Sequence, residues 1–185
     1  HSRNASALVV SSGLISLIVI MIFKGRQNYN NLNCCKLSDF INLRCIKIQD
    51  TMKVLLINGS PRSNGNTFTA LKEVAGALGA EGVETEIVSI GANAVQGCIA
   101  CRKCAELGRC VFNDGLYSSI WEKLRTADGI VIGSPVYYAG PNGSLCALLD
   151  RLFYSASQLL EYKPAAAVAV CRRGGASAAL DRLNK

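Results

Sequence analysis

Lys53-Val-Leu-Leu-Ile57 runs directly into Asn58-Gly-Ser-Pro-Arg-Ser-Asn-Gly-Asn-Thr67, and this stretch decides the fold. The apolar run reads as a strand, the next ten residues as a turn, and Phe68 onward as a helix. That is the opening unit of an α/β sheet. The turn is suited to a phosphate. Ser60, Ser63, Asn66 and Thr67 can donate to its oxygens, and Gly59 and Gly65 let the backbone come close. The helix N-terminus adds partial positive charge. The turn lacks the Gly-Lys-Ser/Thr ending of a Walker loop and the G-x-G-x-x-G of a dinucleotide site. What remains is a mononucleotide phosphate site.

Downstream, the pattern repeats. Apolar residues at helical spacing (Phe68, Leu71, Val74, Ala75, Leu78) predict a helix over 67–78 that ends at Gly79. Val83 to Ile90 alternates like a strand. A loop with four cysteines follows, and Asp114 is a cap for a helix over 115–126. Gly129-Ile-Val-Ile-Gly133 is short and wholly apolar, the mark of a central parallel strand covered on both faces. Residues 134–143 read as a second glycine- and proline-rich loop, 144–160 as a helix, and Ala165 to Val170 as a fourth buried strand. The fold class is therefore α/β, a doubly wound parallel sheet. In such sheets ligands sit beyond the carboxyl ends of the strands. The loops 58–67, 134–143 and 171–177 all leave strands at that end, so they should converge.

The 185 residues suffice for one domain with a sizeable core. Half are apolar, and the net charge of +7 is uneven. Residues 1–51 hold six Lys/Arg and two Asp/Glu, and 52–185 hold 14 and 11. The domain is thus nearly balanced, which gives a nucleic-acid role no footing. His1 is the sole histidine, which excludes Ser-His and Cys-His catalytic pairs and His-based metal sites. Ala7 to Phe23 is an apolar run at the lower edge of a membrane-spanning length, followed by Lys24 and Arg26. Residues 27–51 are Asn-rich and without clear periodicity. Because a complete first element begins one residue after Met52, the reading sets 52–185 as the domain and 1–51 as an extension foreign to it. A membrane anchor is the alternative for 1–51.

Three segments in order carry a resemblance: Gly59-Ser-Pro-Arg…Gly65-Asn-Thr67, Gly133-Ser-Pro-Val-Tyr-Tyr138 and Arg172-Arg-Gly-Gly175. Together they resemble the flavodoxin-like NAD(P)H-dependent FMN reductases, nearest to the iron–sulfur flavoprotein branch. The resemblance covers about 52–185. It implies that Ser60, Arg62, Ser63, Asn66 and Thr67 hold the FMN phosphate, and that Pro135, Val136, Tyr137, Tyr138 and Ala139 lie along the isoalloxazine. Arg173, Gly174 and Gly175 close its pyrimidine end. Relatives continue with a further helix and a fifth strand. On that pattern the sheet is truncated before its last strand and helix, with an unpaired edge beside the fourth strand.

Cys98, Cys101, Cys104 and Cys110 form C-x₂-C-x₂-C-x₅-C. Thiolates so closely spaced can wrap one [4Fe–4S] cluster. Structural zinc sites more often come as two separated pairs. The spacing matches the iron–sulfur flavoproteins, and a vacant thiol loop is the competing reading. If ligated, the loop should hold iron close to the flavin, beyond the sheet's carboxyl end.

The function implied is a cytoplasmic FMN-dependent oxidoreductase. It takes electrons from NAD(P)H and passes them to a small acceptor such as a quinone or a flavin, as a homodimer or higher homo-oligomer. No protein general base is identified. The rivals are a flavodoxin-like electron carrier without NAD(P)H turnover and a cysteine-based redox sensor. Flavodoxins favour acidic surfaces, which the +3 balance of 52–185 opposes.

Overall fold

A computed structural model describes residues 5–12, 16–23 and 51–184, with side chains from 51 onward. The strands are β1 (Ala5–Ser12), β2 (Ser16–Phe23), β3 (Lys53–Asn58), β4 (Glu84–Ser89), β5 (Gly129–Tyr137), β6 (Gly140–Pro141) and β7 (Ala165–Cys171). The helices are α1 (Asn66–Ala80), α2 (Cys104–Leu107), α3 (Gly115–Thr126), α4 (Gly143–Ser155), α5 (Ser157–Leu160) and α6 (Ala176–Leu183). They form one sheet in the order β1-β2-β7-β5-β3-β4, with β6 paired to β5. The four strands β7-β5-β3-β4 are parallel. This is the doubly wound α/β sheet that the alternation of strands and helices predicts.

Strand parity sorts the core into two layers, because successive side chains point to opposite faces. Val54, Leu56, Val131, Val168 and Val170 pack on one face with Ala70 and Leu71 of α1. Leu55, Ile57, Ile130 and Ile132 pack on the other with α3 and α4. Ala167, Ala169 and Cys171 meet α6 on that same face. At roughly 1.5–3 kcal/mol for each fully buried aliphatic side chain, these two layers dominate the stability of the domain.

Four expectations are corrected. Where the sequence allows a spanning helix over 7–23, the structure has two antiparallel strands, β1 on β2. Among the described residues no helix is long and apolar enough to cross a membrane. The edge expected to stand unpaired beside β7 is instead covered by β2, antiparallel, from Leu17↔Cys171 to Phe23↔Ala165. The supposed loop 134–143 is half strand. β5 continues through Ser134-Pro-Val-Tyr137 and folds back onto β6 around Tyr138 and Ala139, both at positive φ. That sign pattern belongs to the tight turns that match strand twist. Finally, the helix expected over 144–160 breaks at Ala156 into α4 and α5.

Candidate functional site

The first loop starts where Asn58, the last residue of β3, is fully buried. Its Oδ1 accepts from the Ser60 backbone N–H at 3.1 Å, and its Nδ2 donates to Ser89 Oγ at 3.0 Å. The Ser60 hydroxyl, itself buried, accepts from the Arg62 N–H at 3.1 Å. The loop is thereby curled so that α1 starts behind Gly65, which supplies no side-chain cap to the helix. Thr67 is buried in the first turn; Arg62, Ser63 and Asn66 are exposed around it. The uncapped end of a fifteen-residue helix faces a hydroxyl-lined turn, which is the donor chemistry an anion requires.

The three loops do converge. The Gly59 N–H donates to Gly133 O at 2.7 Å, tying the first loop to β5. A Cβ on Gly59 would lie 2.5 Å from Leu145 Cδ2 and 2.7 Å from Gly133 O, so only glycine fits there. Ser134 is buried and accepts from the Asn142 N–H at 2.9 Å. The Asn142 side chain then caps α4 through the Ser144 and Leu145 N–H groups. From the third side, Gly175 at φ 89° packs against Ala139. Pro135 and Val136 are half-buried beneath the hairpin, Tyr137 is 49% exposed and Tyr138 wholly so. Arg173 and Gly174 are exposed. A hydroxyl-lined turn, two exposed tyrosines and a Gly-Gly turn thus share one end of the sheet. The donor set and the close-packed glycines fit a flat aromatic ring carrying a phosphate tail.

The cysteine loop builds a second feature. Cys98, Cys101, Cys104 and Cys110 all line one cavity of about 110 Å³, with Phe112, Arg151 and Tyr154 in its wall. Ala100 and Arg102, either side of Cys101, take positive φ. The four thiols suit a thiolate-bound metal in donor chemistry. Among the described residues, however, no three Cys, His, Asp or Glu side chains stand together closely enough to hold a metal ion. The 134–143 hairpin joins α4 at Asn142, whereas Arg151 in the cavity wall lies nine residues along that helix, about 13 Å at 1.5 Å per residue.

Arg151 is the functional candidate that the sequence reading misses. Its guanidinium is fully buried, 2.6 Å from Asp114 Oδ2, and donates to Gln96 O at 3.3 Å and Phe112 O at 2.6 Å. It also lies over the Tyr117 ring, 4.6 Å from its centroid. Burial disfavours its charge, but the Cys110 and Asp114 side chains outweigh that and hold its proton more firmly than usual. Burial tends to raise the Asp114 carboxyl, yet the Tyr117 N–H and Arg151 together hold it below the ordinary carboxylate range. Next to this pair, the Tyr117 hydroxyl accepts from the Cys110 N–H at 2.9 Å. Ser155 Oγ spends its one hydrogen on Arg151 O, so Tyr117 must donate to Ser155 across their 2.6 Å contact. The last cysteine of the motif is thereby anchored to α3 and α4.

Residues 52–185 match the family described as NADPH-dependent FMN reductase. An iron-sulfur flavoprotein of Methanocaldococcus jannaschii is 43% identical over 100 residues, covering 54% of this chain and 51% of the relative. One of Methanosarcina thermophila is 36% identical over 128 residues, covering 67% and 66%. The chain therefore spans about half the length of the first of these relatives and two thirds of the second. Among solved structures it is similar to RosB, with a TM-score of 0.45 and 23% identity over 55% of this chain and 42% of that one.

Proposed function

This chain belongs to the NADPH-dependent FMN reductase family, and on that premise we propose that it is a cytoplasmic FMN-dependent oxidoreductase moving electrons from NAD(P)H to a small acceptor. FMN supplies the redox chemistry when bound: it accepts hydride from the nicotinamide and delivers electrons onward. The work of the chain is to bind and orient. Ser60, Arg62, Ser63, Asn66 and Thr67 take the phosphate, where the uncapped α1 terminus favours negative charge. Pro135, Val136, Tyr137, Tyr138 and Ala139 flank the ring. Arg173, Gly174 and Gly175 close it from the neighbouring strand and shield that edge from water. Cys98, Cys101, Cys104 and Cys110 carry the thiol chemistry that an iron–sulfur cluster would need, as in the relatives named iron-sulfur flavoproteins, but in this arrangement no three of them stand close enough to bind one.

The observation that carries the reading is the convergence of three loops from adjacent strands. Gly59 is bonded to Gly133 O at 2.7 Å, and Gly175 is pressed on Ala139. Protein purified without air should show flavin absorption and oxidise NADH or NADPH with a quinone or ferricyanide as acceptor. Flavin present without turnover of either nucleotide would make it an electron carrier instead. No flavin at all would end the proposal.

A further inference from the structure

The three converging loops, 58–67, 134–143 and 171–177, carry Arg62, Arg172 and Arg173 and hold no Lys, Asp or Glu. All three arginines are exposed, and none is in an ion pair among the described residues. Cations left without counter-charges around one pocket draw an anion to it. The FMN reading occupies two of them, Arg62 in the phosphate turn and Arg173 at the pyrimidine end. Arg172 has no task in that reading. It follows directly on Cys171, the buried last residue of β7, so a fixed backbone carries a solvent-facing guanidinium. Gly175, which packs on Ala139 of the ring loop, is three residues further on, at most about 11 Å of chain.

A nicotinamide nucleotide presents its ring to the flavin and carries its adenosine away from it. NADPH differs from NADH by the 2′-phosphate on that adenosine, so the group that tells them apart must stand back from the flavin ring. An arginine suits the task, because its planar fork matches a phosphate and arginines accommodate this phosphate in dinucleotide-binding folds. The opposite preference is served by an Asp or Glu on the free 2′-hydroxyl, and the three loops offer neither. We propose that Arg172 is the specificity residue for the hydride donor: it binds the adenosine 2′-phosphate and makes this chain select NADPH over NADH. This rests on the reading of the protein as an NAD(P)H-dependent oxidoreductase and names the donor within it. The contact is ionic, and no bond is made or broken at Arg172.

The test uses the full chain loaded with FMN. Calorimetry compares the binding of adenosine 2′,5′-bisphosphate with that of adenosine 5′-monophosphate, and steady-state assays with ferricyanide compare NADPH with NADH. Wild type is set beside Arg172→Ala, Arg172→Lys and Arg172→Glu. Wild type should bind the bisphosphate about tenfold more tightly and show a similar ratio in kcat/KM for NADPH over NADH, the scale of one charge-assisted hydrogen bond. Arg172→Ala should lose that ratio through a higher KM for NADPH, with kcat, NADH kinetics and FMN content unchanged. Arg172→Lys should keep part of it, and Arg172→Glu should turn the preference towards NADH. Equal or weaker binding of the bisphosphate by wild type, or an NADPH preference that survives Arg172→Ala, overturns the proposal and leaves the oxidoreductase reading standing. Wild type that oxidises neither nucleotide overturns both.

Discussion

Gly175 and Ala139 touch backbone to backbone: a Cβ added to Gly175 would lie 2.8 Å from Ala139 Cα. Both residues take positive φ, 89° and 61°, so each turn relies on the other's shape. Gly175→Ala brings a left-handed penalty of about 1–2 kcal/mol and a clash with backbone that cannot rotate away. The two ring loops should be pushed apart. FMN affinity, followed by quenching of flavin fluorescence, should fall at least tenfold, with a modest drop in melting temperature. Unchanged affinity would place the ring elsewhere.

The phosphate turn makes a more selective claim. Ser60 and Thr67 are buried hydroxyls at the α1 terminus. Replacing both with Ala should weaken FMN far more than riboflavin, since only FMN carries the phosphate. Each charge-assisted hydrogen bond lost is worth roughly 1.5–3 kcal/mol. Equal weakening of the two ligands would remove the phosphate from this loop.

How far these sites could be read from the chain follows from the range of the interactions involved. α3 is legible because its signals are local: Asp114 caps Tyr117 N at 2.9 Å, and Ile120 and Leu124 bury one face. The convergence of Gly59, Ala139 and Gly175 is legible because each follows a strand, and strand order alone brings their loops together. Arg151 is not. It stands among Leu148, Leu149 and Leu152 like any helix-surface cation, and the groups that bury it come from Gln96, Phe112 and Asp114. The β5 extension is hidden because Ser134-Pro135 reads as a turn, although Pro135 pairs with Val170 in register. For the hairpin of β1 and β2 a signal was present. Ser11-Ser12-Gly13 interrupts the apolar run with turn-forming residues, which argues for two short segments over one long helix.

Acid stability should report the Asp114–Arg151 pair. The folded state holds the Asp114 carboxyl below its ordinary range, so the pair contributes fully above the unfolded pKa, near 4. That contribution fades as pH falls through the lower folded value. Asp114→Asn still caps α3, because Asn caps as well as Asp, and so isolates the charge. The variant should be less stable at pH 7 and should lose less on acidification. Asp114 is 44% exposed, so the loss lies well below that of a fully buried pair. Parallel pH profiles for the two proteins would remove the pair from the stability of the domain.

Deleting residues 1–51 strips β2 from β7 and leaves the Ala165–Cys171 edge with unpaired backbone groups. Open edges of this kind pair with other chains. A protein starting at Met52 should still bind FMN, because the three loops lie within 58–175. It should also elute from size exclusion as larger, concentration-dependent species. A monodisperse profile identical to that of the longer chain would show that β2 protects nothing.

The separation between the cysteine cavity and the ring loops yields a clean dissection. Cys101 lies between two residues of positive φ in an exposed loop. If the four thiols close on iron, Cys101→Ser removes one of them and should abolish its binding, since thiolates are what hold such clusters; no iron in either protein would show that the loop binds none. Flavin should be unaffected, because the ring loops lie about 13 Å back along α4 from Arg151. The expected result is an iron-free protein with full flavin absorbance and lowered turnover with acceptors that draw electrons through the cluster. Full-rate NAD(P)H oxidation with every acceptor would make the cysteine loop dispensable to electron flow. Loss of flavin together with the iron would show that the two sites fold as one.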